Sequence, residues 1–187
     1  MTMQTFVKTN LKYFLQLALT LFIITAAMGI LLAGVNVLTK DRIAANRQYK
    51  TEAAMAEVLP GAEFRLDPVF ETDSAKVYEG RSGGTVQGYA ISVAPMGFGG
   101  AIDMIVGVDA EGTVTGISIV SMSETAGLGT KVNDGGFLGQ FAGVADWASD
   151  SGQVQAISGA TVSSRAVMSG VDTALKAYKD FMLGGGA

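Results

Sequence analysis

The stretch "QAISGATVSSRAV", residues 155 to 167, sets the hydroxyls of Ser158, Thr161, Ser163 and Ser164 around one glycine, just ahead of a helical pattern. The first N–H groups of a helix lack internal partners, and one capping hydroxyl is enough to serve them. A helix beginning near Ser163 or Ser164 therefore has hydroxyls to spare. Its N-terminal end carries partial positive charge, Gly159 and Ala160 are small enough to let an anion approach the backbone, and spare hydroxyls can bond its oxygens. The chemistry this pattern suits is phosphate binding. Taken alone, the tetrapeptide SGAT is better explained as a turn before a redundantly capped helix.

A second stretch, "SETAGLGTK" at residues 123 to 131, combines Glu124, Thr125 and Lys131 with Gly127, Leu128 and Gly129. By itself it is a glycine-rich turn. A third, "GFGGAIDMIVGVD", places Gly99 and Gly100 before a strand pattern, where a simple bend explains it nearly as well.

Composition narrows the chemistry available to these residues. The 187-residue chain has no cysteine and no histidine. Disulfides, iron–sulfur clusters, thiol catalysis and a serine–histidine hydrolase are thereby excluded, and haem, zinc and copper lose their favoured ligands. Redox work would need an organic cofactor. The net charge is −4, which gives no electrostatic case for nucleic acid.

The elements that must position these residues begin with an apolar run. No charged residue lies between Tyr13 and Thr39, and the 25 residues "FLQLALTLFIITAAMGILLAGVNVL" would span about 37 Å as a helix, against a hydrocarbon core of roughly 30 Å. The run far exceeds a signal-peptide core and has no A-x-A-like site after it, so residues 13–38 form a transmembrane helix behind a short 1–12 segment. Lys8 and Lys12 precede the span, while Lys40, Arg42, Arg47 and Lys50 follow it, so charge alone leaves the orientation open.

Residues 39–60 read as a juxtamembrane helix or linker, with Ile43, Tyr49, Ala53, Val58 and Leu59 on helical offsets and Pro60-Gly61 as the stop. Four antiparallel strands follow: "AKVYEG", "TVQGYAISVAP", "AIDMIVGVD" and "TVTGISIVSM", the last two joined through "DAEG". The glycine-rich stretch 123–150 has Phe137, Leu138, Phe141 and Trp147 to bury, which predicts an ordered loop over a site. From Ser164 onward, Val167, Val171, Ala174, Leu175, Tyr178 and Phe181 form one helical stripe, with Lys176, Lys179 and Asp180 off it. The expected architecture is α+β: one N-terminal transmembrane helix, then a domain at 61–183 with an antiparallel sheet and flanking helices. A flexible tail is expected at 184–187.

The stretch "SGATVSS" resembles the flavinylation motif of the FMN-binding domain family, and "SETAGLGTK" resembles that family's E-T-P-G-L-G element. Both stand in the family's order, behind a single N-terminal span. The layout from about residue 10 to 182 is similar to the G-subunit family of the Rnf complexes. The C-subunit family of sodium-pumping NADH:quinone reductases is the near alternative, generally longer between anchor and flavin motif. The resemblance implies FMN joined through its phosphate to the Thr161 hydroxyl, with Ser158, Gly159, Ala160 and Ser163 around the attachment point. It also implies that Glu124, Thr125, Gly127, Leu128 and Gly129 line the flavin pocket, with Lys131 just beyond. Two glycines would let backbone N–H groups approach the ring, and Leu128 could pack on its face. Two positions depart from the family pattern. Gln155 replaces an acidic residue six positions before the threonine, which bears on recognition by the flavin transferase, and Ala126 replaces the proline.

By resemblance, the expected function is electron transfer within a bacterial inner-membrane complex that moves electrons between ferredoxin and NAD while translocating sodium ions or protons. The FMN domain would lie on the extracytoplasmic side, other membrane subunits would be its partners, and a flavin transferase would mature it. No nucleic acid and no metal are expected. A stand-alone membrane-anchored flavoprotein or sensor is one alternative. A non-catalytic anchored module explains the span and sheet but not the two motifs.

Overall fold

A computed structural model describes residues 3–65 and 67–184, which divide into two compact units, Met1–Asn46 and Arg47–Ala187. Helix α1, Met3–Val58, contributes to both.

In the first unit, the large apolar side chains from Leu11 to Leu38 are exposed, a face that water does not tolerate but lipid does. Among the described residues, one helix is long and apolar enough to cross a membrane. Three of its threonine hydroxyls bond back to the helix. Thr20, Thr25 and Thr39 donate to the carbonyls of Gln16, Leu21 and Val35 at 2.8, 3.0 and 2.8 Å.

The second unit is built on six antiparallel strands: β1 Glu63–Phe64, β2 Phe70–Glu71, β3 Ala75–Ser82, β4 Thr85–Val93, β5 Asp103–Asp109 and β6 Val114–Ser121. Their order is β1-β3-β4-β5-β6, with β2 pairing β3 off that path. The four longer strands are the four expected. The two-residue strands β1 and β2 were not, because two residues cannot display the alternation that marks a strand in sequence. Between β5 and β6, Asp109 closes the hairpin, its Oδ1 accepting from the N–H groups of Glu111 and Thr113 at 3.1 and 2.7 Å.

Alternation along the strands gives the sheet two apolar faces. Tyr89, Ile91 and Val93 of β4 and Met104, Val106 and Val108 of β5 enter the main core, packed against helix α4, Thr161–Gly184. All six expected stripe residues of α4 pack into this core, five of them buried and Phe181 partly so. The opposite face carries Ala90 and Ile105, which pack with Ala54, Met55 and Val58 from the last turns of α1. Here the expected apolar face of the 39–60 segment is corrected: Ile43 and Tyr49 are 62% and 71% exposed, and Ala53 is exposed. Val58 and Leu59 are buried as expected, and Ala54 and Met55 join them in place of the other three, because those are the positions the sheet covers.

The 123–150 stretch is more regular than a loop. It contains a 3-10 turn at Gly129–Asn133, helix α2 at Gly135–Leu138, a further 3-10 turn at Gly139–Phe141 and helix α3 at Trp147–Asp150. Its aromatics anchor it, as expected. Phe141 is fully buried, edge-on to Phe137 at 5.4 Å and stacked on Trp147 at 6.0 Å. The expected tail falls on residues 185–187, outside the described residues, while Gly184 is the last residue of α4.

Candidate functional site

The N-terminus of α4 begins two to three residues earlier than the hydroxyl count suggested, at Thr161. The first helical hydrogen bond runs from Ser164 N–H to the Ala160 carbonyl at 2.9 Å. The N–H groups of Thr161, Val162 and Ser163 therefore have no partner within the helix. Gly159 makes the entry possible: its φ is +82°, a conformation that strains any residue with a side chain.

This placement divides the four hydroxyls. Ser164 Oγ is fully buried and accepts from Ile157 N–H at 3.1 Å, closing the turn that leads into the helix. Ser163 Oγ is buried and donates to Glu124 Oε2 at 2.6 Å. Thr161 and Ser158 are exposed and have no side-chain hydrogen bond among the described residues. Capping thus consumes none of the four. Two serines build the scaffold, and Thr161 is left facing outward at the first helical position.

Above it opens a cleft of about 310 Å³, at the small end of the range for organic ligands. Its lining brings together Thr161, Gly159, Ala160 and Ser163 from the α4 entry with Glu124, Thr125, Leu128 and Gly129 from the second motif. The lining residues of these two stretches lie at least thirty positions apart in the chain. Ser158, Gly127 and Lys131 are exposed and do not line it. Phe98 and Val162 complete the walls and were not anticipated. A signal for Phe98 was present, since the Gly99–Gly100 pair adjoins it. Val162 had none, because its outward direction depends on where the helix starts. Phe98, Leu128 and Val162 are 74%, 45% and 53% exposed, so the cleft offers apolar surface to an incoming ring.

Glu124 is the one carboxylate in the lining, and it is 9% exposed. Oε1 accepts from the N–H groups of Phe98 and Gly99 at 2.9 and 3.1 Å, and Oε2 accepts from Ser163. Burial pushes its pKa up, but the hydrogen bonds from Ser163, Gly99 and Phe98 outweigh that, and the carboxyl is held below its usual range. Two glycines permit the arrangement. A Cβ at Gly129 would stand 2.6 Å from Glu124 Oε2, and one at Gly97 would stand closer still to Oε1.

The donor set suits a phosphorylated aromatic group: three free N–H groups at a helix N-terminus for the anion, apolar walls for a ring, and an unengaged hydroxyl between them. Comparison with known families agrees. An FMN-binding domain model matches residues 97–176, which contain every residue of the cleft. An RnfG N-terminal region model matches residues 3–58, which make up all but the last residues before the sheet. The G subunit of the Na(+)-translocating ferredoxin:NAD(+) oxidoreductase complex of Acetobacterium woodii is 31% identical over 93% of this chain and 96% of its own length. The G subunit of the ion-translocating oxidoreductase complex of Methanosarcina acetivorans is 33% identical over 88% and 94%. That of the proton-translocating ferredoxin:NAD(+) oxidoreductase complex of Clostridium ljungdahlii is 31% identical over 82% and 85%.

Fold, cleft and family model together define an FMN-binding domain carried on a single membrane-spanning helix. The chain belongs to the G-subunit family of the Rnf ion-translocating oxidoreductase complexes, in agreement with the resemblance read from its motifs.

Proposed function

We propose that this chain is the electron-transfer subunit of an ion-translocating ferredoxin:NAD oxidoreductase complex, and that it holds FMN through a phosphoester to Thr161 Oγ. The supporting observation is the sorting of hydroxyls: of the four in the stretch, Thr161 alone is exposed, free of hydrogen bonds among the described residues and part of the cleft lining. FMN supplies one- and two-electron chemistry at its ring. The residues of this chain supply position. Thr161 Oγ would tether the phosphate, the N–H groups of Thr161, Val162 and Ser163 would be available to its oxygens, and Phe98, Leu128 and Val162 would give the ring an apolar seat. A link through phosphate leaves the ring itself unsubstituted.

A phosphate monoester does not esterify a hydroxyl unaided, so the donor must carry a leaving group on the FMN phosphorus. A flavin dinucleotide meets that need. The Thr161 Oγ–P bond forms, the P–O–P bond breaks, AMP leaves, and the hydroxyl proton is released, with no change of oxidation state. A flavin transferase is the partner that catalyses this step, and other Rnf membrane subunits are the partners in electron transfer.

After co-expression with a flavin transferase, the denatured band of the full chain fluoresces under ultraviolet light, and Thr161→Ala is dark. A Thr161→Ala band as bright as wild type would refute the tether. The reading places the FMN domain on the extracytoplasmic side of a bacterial cell membrane. Because the chain has no native cysteine, single engineered cysteines on either side of the span test that placement without background. Labelling of a domain cysteine only after the membrane is opened to the cytoplasmic face would reverse it.

A further inference from the structure

We infer that Glu124 is a positioning residue for attachment at Thr161, acting through Ser163 without touching the phosphate. This role rests on the tether proposed above. The Glu124 carboxylate joins two segments that no hydrogen bond among the described residues joins directly: the turn carrying Phe98 and Gly99, and the first turn of α4. Oε1 takes two backbone N–H groups from the turn, and Oε2 takes the Ser163 hydroxyl, two residues beyond Thr161.

The first turn of a helix lacks internal partners for its N–H groups and is where a helix frays. Thr161 is the first residue of that turn and has no side-chain anchor of its own among the described residues. Its Oγ must nevertheless meet a phosphorus atom in line with the departing AMP oxygen, a geometry in which small displacements cost large factors in rate. A hydrogen bond to an ionised carboxylate is roughly twice as strong as a neutral one. Glu124 is therefore suited to hold the turn still. It is poorly suited to bind phosphate directly, being itself an anion that can only accept hydrogen bonds. The same bond spends the only proton of the Ser163 hydroxyl, so that side chain supports the turn, and Ser163 offers the phosphate only its backbone N–H.

The transfer reaction itself provides the test. Full-length apo chain in detergent is incubated with flavin transferase and flavin dinucleotide, and FMN incorporation is followed by intact mass for wild type, Ser163→Ala, Glu124→Ala, the double variant and Glu124→Gln. Each alanine variant slows the maximal rate roughly ten- to hundredfold, with the half-saturating dinucleotide concentration unchanged. The double variant is no slower than Glu124→Ala, because both remove the same link. Glu124→Gln keeps most of the rate, since an amide can accept from Phe98 and Gly99 and donate to Ser163.

Losses that multiply in the double variant would overturn the inference, because Ser163 would then act on the phosphate itself. If Glu124→Ala does not fold, Ser163→Ala decides the matter, with Trp147 fluorescence confirming its fold. A wild-type rate in that variant overturns the role. A wild-type chain that accepts no FMN overturns the tether and this role together, whereas equal rates in wild type and Ser163→Ala overturn this role alone.

Discussion

Gly129→Ala places a methyl group against the most constrained side chain of the site. The new Cβ would lie 2.6 Å from Glu124 Oε2, 2.9 Å from Glu124 Cβ and 3.0 Å from Ser163 Oγ, all shorter than an unstrained contact. A flexible neighbour would swing aside, but Glu124 is held at both oxygens. Relief requires breaking the Ser163 bond or shifting the Gly129–Asn133 turn. Losing a hydrogen bond to a charged group costs about 1.5–3 kcal/mol, and overpacking costs about 1–3 kcal/mol. Against these, alanine gains about 0.4–1 kcal/mol from a less flexible unfolded chain. By either route the net is a destabilisation of roughly 1–2 kcal/mol, or about 5 °C in Tm for a domain of this size.

Far-UV circular dichroism in micelles would be dominated by α1, so the assay should follow Trp147, the single tryptophan, which stacks on Phe141. Gly139→Ala is the control. Gly139 has φ −64° and ψ −20°, and no atom lies within 4 Å of where its methyl group would stand, so alanine fits there and stability should change by less than about 1 kcal/mol. If Gly129→Ala melts within about 2 °C of wild type, the carboxylate is not held as described, and the reasoning fails.

Two further outcomes follow from the same geometry. The folded-state pKa of Glu124 is depressed, so its contribution to stability is fully present above the unfolded value, near pH 4.3, and is lost as pH falls through the lower folded value. The stability gap between wild type and Glu124→Gln should therefore be constant from neutral pH down to about pH 5 and narrow below about pH 4; denaturant titrations showing an unchanged gap at pH 3.5 would contradict this. Phe141→Ala empties a fully buried position between Phe137 and Trp147, costing about 3–5 kcal/mol and shifting Trp147 emission to the red, and a loss under about 1 kcal/mol would show that the 135–150 segment is not anchored there.

Much of this molecule is legible along the chain because it depends on local pattern. The span follows from an uncharged run long enough to cross a bilayer. The four long strands follow from alternation, and the buried stripe of α4 follows from a 3.6-residue period that the sheet then covers. The two stretches that line the cleft were visible as clusters of glycines and hydroxyls, although each by itself reads as a turn.

What the chain could not display is which partner each group would find. Thr161, Ser163 and Ser164 look alike in sequence, yet one faces a cleft, one donates to Glu124 and one accepts from Ile157. That division depends on a two- or three-residue choice of helix start, and successive side chains point about 100° apart around the helix. In the same way, Tyr49 and Val58 share the helical pattern of one segment, but Tyr49 is exposed and Val58 packs on the sheet. Local periodicity decides which elements form. Only the packed fold decides which face of each element is covered and which hydroxyl stays free, because both depend on atoms supplied by segments distant in the chain.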